Sequence, residues 1–126
     1  IAQEQSVVVV ANSSVTSVNL TSNQLRKIFS MRQTTWPDGE PIRVYVLPAK
    51  SEAHKKLCKD VLKMFPYQIE RLWNKLAYSG LGETPIEVET AEQMKLNIAS
   101  TPGAIGYILS SADEQSLSVI TIVKDE

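Results

Sequence analysis

The stretch IRVYVLPAKSEAHKKLCKDVL, Ile42 to Leu62, changes its hydrophobic period half-way along. Ile42 to Leu47 is rich in β-branched residues and reads as a strand. Pro48 stops it, because proline contributes no N–H to a ladder. Ser51 then stands where a helix N-cap is expected. After it Leu57, Cys58, Val61, Leu62 and Phe65 fall on one helical face, with Lys55, Lys56, Lys59 and Lys63 largely opposite. A strand that feeds a helix is half of a parallel crossover unit, so this stretch points to the α/β class.

Working outward, the same alternation continues. SVVVVA, Ser6 to Ala11, is a continuous apolar run, the pattern of a central strand buried on both faces; NSSVTSVN after it reads as polar loop. Thr21 and Gln24 have capping-box spacing ahead of Leu25, Ile28 and Phe29, which make one apolar stripe of a short helix. WPDGEP is turn chemistry leading into Ile42. Pro66 ends or kinks the Ser51 helix, and YQIERLWNKLAYSG repeats the helical period through Ile69, Leu72, Trp73 and Leu76 before Gly80 terminates it. TPIEVET is a weak strand candidate. Thr90 and Gln93 offer a second capping box, for a helix to about Ser100 that buries Met94 and Ile98. TPGAIGYIL and SLSVITIV close the chain as strands, the latter through Leu117, Val119, Ile120 and Ile122. The expectation is a single domain over residues 1–126: a three-layer lobe whose mixed, mostly parallel sheet is flanked by helices.

Composition sets limits on function. The chain has 126 residues, 43% of them hydrophobic, enough for one core. Thirteen Lys and Arg nearly balance fourteen Asp and Glu, so overall charge gives no reason to expect nucleic acid or an acidic membrane as partner. No apolar run approaches the roughly 20 residues that span a bilayer. The lone Cys58 makes no internal disulfide, which fits either a reducing compartment or a periplasmic protein without bridges. One histidine and one cysteine, with no carboxylates at ligand spacing, give no metal site, and no cofactor loop opens a helix. Gly103 and Gly106 in PGAIG serve backbone geometry instead.

In open α/β sheets ligands lie beyond the carboxyl ends of strands, at helix N-termini. Two loops qualify, Asn12 to Ser14 and Pro48 to His54. In the second, Lys50 adds a cation, Ser51 a hydroxyl and His54 an imidazole in the first turn, a set suited to a small oxyanion. The bland alternatives stand beside it: Ser51 as a plain N-cap, His54 as a packed histidine next to the apolar stripe, and Glu52 as the acid that already satisfies the helix dipole. His54 and Cys58 are four residues apart, as a thiol–imidazole pair requires, but Cys58 lies in the apolar stripe and reads as inert core. No nucleophile–base pair is assembled, so no catalytic residue is assigned and an enzyme is not expected. Asn12-Ser13-Ser14 and Asn19-Leu20-Thr21 match glycosylation acceptors.

The order of these features, LTSNQLRKIF, then TTWPDGEPIRVYVLPAKSEAHKKL, then YQIERLWNKLAYSG and finally TPGAIGYI, resembles the short relatives of the periplasmic phosphate-binding proteins of ABC transporters. The likeness runs from about Asn19 to Ile108. It implies a type II periplasmic binding fold, in which two lobes close on a small oxyanion, with this chain as one lobe. It also implies export to the bacterial periplasm, with a signal peptide removed ahead of residue 1. Full-length relatives have an arginine at the strand end and Ser-Gly-Thr at the helix start; here these are Leu47 and Ser51-Glu52-Ala53. Short relatives often carry an arginine three residues after that serine, and His54 occupies its place. A glycine usual after the Ile-Phe is Met31.

Two function classes follow. The first is a non-enzymatic solute-binding module that takes phosphate or a similar oxyanion through Lys50, Ser51 and His54, with Ser13, Ser14 and Thr21, its cleft completed by a second copy or a partner protein. The alternative is a ligand-free interaction or sensor module that keeps the lobe, to which Glu52 and Leu47 point.

Overall fold

Val7–Ala11 (β1) is the central strand that its β-branched run predicts, with Val9, Val10 and Ala11 fully buried. The computed structural model describes residues 7–15, 19–48, 50–80, 84–109 and 118–123. Ser6, Leu117 and the side chains of the last strand, on which expectations also fell, lie outside them.

The strands are β1, β2 (Asn19–Thr21), β3 (Arg43–Val46), β4 (Ile86–Glu87), β5 (Ala104–Leu109) and β6 (Ser118–Val123), in the sheet order β2-β6-β1-β5-β3-β4. β2 pairs with β6, β5 with β3 and β3 with β4 in parallel, while β1 runs antiparallel to both β5 and β6. Five strands therefore point one way and the central one points back. The sheet is mixed and mostly parallel, as expected, and its reversed strand is the one with the strongest apolar run.

Helices cover both faces. They are α1 (Ser22–Phe29), α2 (Glu52–Lys56) continuing as a π-helical segment (Leu57–Leu62), α3 (Pro66–Ser79) and α4 (Ala91–Ser100). Successive β5 residues point to opposite faces. Tyr107 meets Phe29 of α1 edge-on at 5.9 Å, and Gly106 turns toward Met94 and Ile98 of α4. An added Cβ at Gly106 would come within 2.7 Å of Ile98 Cδ1, so the missing side chain is what lets α4 approach the sheet.

Local signals account for the helix ends. Thr21 Oγ1 accepts the Gln24 N–H at 3.1 Å and the Gln24 side chain accepts the Thr21 N–H at 2.9 Å, a complete capping box. At Thr90 the hydroxyl accepts the Gln93 N–H, but the Gln93 side chain reaches to the Glu89 N–H instead of closing the box. Helix α1 ends in a Schellman motif: the Met31 N–H donates to Ile28 O at 3.1 Å and the Arg32 N–H to Lys27 O at 2.9 Å. Met31 holds the left-handed conformation, φ 67°, that a glycine adopts freely and an L side chain does not.

Two expectations are corrected. The Ser51 helix does not stay α-helical to Pro66. It widens to π winding over Leu57–Leu62 and stops at Lys63, which takes φ 57° and donates its N–H to Cys58 O. Phe65 is thereby carried out of the apolar face: it is 65% exposed and stacks on Tyr67 at 5.7 Å. Second, Asn19–Thr21, for which the sequence predicts no strand, pairs with β6 and buries Leu20; it overlaps the polar loop only at Asn19.

Candidate functional site

The carboxyl edge of the five co-directional strands is where the Pro48–His54 loop lies. The Ser51 N–H donates to Pro48 O at 2.9 Å, closing the turn after β3, and Ser51 Oγ accepts the His54 N–H at 3.2 Å. Ser51 is thus the N-cap of α2. The N–H groups of Glu52 and Ala53 in its first turn precede any intrahelical acceptor. Lys50 is exposed and Ser51 half-buried beside them.

His54 points the other way. Its side chain is fully buried, with Nδ1 3.0 Å from the Tyr107 hydroxyl and Nε2 3.7 Å from Cys58 Sγ. The same hydroxyl accepts the Leu47 N–H at 2.8 Å. Burial lowers the His54 pKa, against the opposing pull of the Glu70 and Glu87 carboxylates, so the ring is neutral near pH 7. The neutral ring shares a hydrogen bond with the Tyr107 hydroxyl through Nδ1 while Nε2 faces the sulfur, and the same hydroxyl also lies 3.4 Å from Leu47 O. Burial pushes the Cys58 thiol up to about 11, with Glu70 adding to the shift, which leaves it protonated and unreactive. The imidazole is a core strut and does not face an anion at the surface.

The Asn12–Ser14 loop lies at the other edge. Because β1 runs backwards, its end pairs with the beginnings of β5 and β6, Ala11 with Ile105 and Ser118. The buried Asn12 amide donates to Ile98 O and Ala99 O, and its Oδ1 accepts the Ser14 N–H. Ser14 Oγ accepts the Gly103 N–H at 3.1 Å and donates to Glu40 at 3.2 Å. Ser13 is exposed at the same turn. Ser13 and Ser14 are therefore separated by the length of the sheet from Ser51, and one small ion touches only one pair. Thr21 shares the carboxyl edge with Ser51, but β2 and β3 are four strand steps apart, roughly 19 Å at about 4.8 Å per step.

Beside Leu47 the edge holds a cavity of about 180 Å³ bordered by Val46, Trp73, Asn74, Glu70 and Glu87. Its two carboxylates make it acidic. The sequence pattern does not single out Tyr107 or these two glutamates, and it names Asn12 only as part of a candidate loop, not as the buried amide that ties that loop to Ile98 and Ala99. Among the described residues no helix is long and apolar enough to cross a membrane.

The lobe, with its reversed central strand and helix starts along one edge, can be set against known proteins. A family model described as a PBP superfamily domain matches residues 5–124. The chain belongs to the PBP superfamily. No curated protein sequence matches it. Among solved structures, this PBP lobe is similar to PstS from Borrelia burgdorferi, with a TM-score of 0.72 and 17% identity over 94% of this chain and 47% of that one. It is also similar to an ABC-type phosphate transport receptor from Vibrio cholerae, at TM-score 0.69 and 18% identity over 94% of this chain and 46% of that one. A phosphate-bound substrate-binding protein from Clostridium perfringens, described as a putative phosphate ABC transporter component, gives 0.69 and 16%, covering 96% and 45%. The chain thus spans under half the length of these relatives, the extent of a single lobe.

Proposed function

We propose that this chain is a non-enzymatic, periplasmic solute-binding module that takes a small oxyanion of the phosphate type at the carboxyl edge of its sheet. The observation that carries the reading is the lobe itself, similar over nearly its whole length to half of proteins named as phosphate receptors. Lys50, the Ser51 hydroxyl and the free N–H groups at the start of α2 supply donors there. The start of α1 behind Thr21 supplies a second set at the same edge. Ser13, Ser14 and His54 take no part in this contact set, the first two by position and the third by burial. Since the two helix starts stand too far apart for one ion, a second copy or a partner protein brings the opposite start across the cleft.

The exposed Glu52 carboxylate opposes an anion at Ser51, so the lone lobe binds weakly. Titration calorimetry with phosphate and with sulfate, combined with sedimentation to read association, tests the proposal. Lys50→Gln and Ser51→Ala are expected to weaken binding about tenfold each, and Glu52→Gln to strengthen it. Absence of heat and of any thermal shift at millimolar anion would leave the ligand-free interaction module as the better account.

A further inference from the structure

A second cavity, of about 230 Å³, opens between α1 and α3 and is lined by Asn23, Arg26, Lys27, Ser30, Arg32, Met64 and Leu72. Three of these residues are cations and none is acidic. Arg26 and Lys27 belong to the last turn of α1, where the helix dipole favours positive charge. That argument does not cover Arg32, which lies outside the helix. The Schellman turn folds it back, its N–H bonded to Lys27 O, so that it lines the same cavity as the other two. Three like charges gathered at one cavity repel one another, a cost that an anion between them removes. The Nε–H of Arg26 is shielded from water and has no acceptor, an unusual state for a guanidinium donor.

We infer that this cavity is a binding site for a small phosphate-bearing anion, sharing no residue with the Ser51 edge and independent of the function proposed there. Two guanidinium forks suit the paired oxygens of a phosphate group, and Lys27 adds a point charge. Met64 and Leu72 add apolar surface to the lining beside the three cations.

The test uses inorganic phosphate and pyrophosphate as probes, read site by site through nitrogen-resolved NMR of the arginine Nε–Hε groups at about 0.15 M ionic strength. The Arg26 and Arg32 resonances are expected to shift saturably. Arg32→Gln, at an exposed turn position, weakens this binding about tenfold, whereas Ser51→Ala and the control Lys95→Gln leave it unchanged. The inference is overturned if no saturable shift develops by about 10 mM pyrophosphate, or if Lys95→Gln weakens binding as much as Arg32→Gln does. Loss of the shift in Ser51→Ala but not in Arg32→Gln assigns the ion to the carboxyl edge and equally overturns it.

Discussion

The Tyr107 hydroxyl stands 3.0 Å from His54 Nδ1, and through that one oxygen β5 holds both the start of α2 and, by the Leu47 N–H at 2.8 Å, the end of β3. A surface loop is thereby anchored to the centre of the sheet by a buried polar link between residues far apart in sequence.

Removing only that oxygen is expected to be costly. Tyr107→Phe keeps the ring and its edge-on contact with Phe29 but strands the Leu47 N–H and the His54 ring nitrogen in a dry site. Each unsatisfied buried group costs on the order of 1–3 kcal/mol, so a loss of about 2 kcal/mol is expected after partial relaxation. Urea unfolding with an unchanged slope measures it; a loss below about 0.5 kcal/mol would show that the link carries no stability.

The same cluster sets a pH dependence. The His54 ring titrates lower in the folded chain than its ordinary value of 6.5, so on acidification the unfolded chain takes up the proton first. The contribution is complete above about pH 6.5 and is lost as pH falls through that value toward the lowered folded one. Cys58 acts on the alkaline side: its folded value of about 11 lies above the ordinary 9.0, so stability from the buried thiol is present below pH 9.0 and lost as pH rises toward 11. Thermal midpoints between about pH 5 and about pH 10 should trace a plateau with two falling limbs. His54→Gln should flatten the acid limb; if that limb persists unchanged, other groups cause it.

Lys63 offers a gain. It holds φ 57° at the end of the π segment, where an L side chain is strained, and its own side chain is exposed. Lys63→Gly relieves roughly 1–2 kcal/mol of strain against somewhat less than 1 kcal/mol of added chain entropy, for a net stabilisation of about 0.5–1 kcal/mol. A higher denaturation midpoint at unchanged slope is the expected reading, and a lower one refutes the strain argument.

Much of the molecule was written locally. The run Val7–Ala11 marks a strand buried from both sides, the spacing of Thr21 and Gln24 a helix start, and Ile42–Leu62 a strand passing into a helix; each depends on neighbours within a turn or a ladder length. From these the α/β class follows; the single-lobe resemblance rests instead on the order of motifs from about Asn19 to Ile108, and the family match bears it out.

What no local pattern carries is direction and convergence. Only the tertiary structure reverses β1 and so places Ser13 and Ser14 at the opposite edge from Ser51. Only packing decides that His54 turns inward, because its partner Tyr107 lies 53 residues away, and that a π-wound turn carries Phe65 outward. Periodicity reports which face of an element is apolar. Which elements meet, and therefore which side chains share a site, depends on how those faces close over one another to remove the most apolar surface from water.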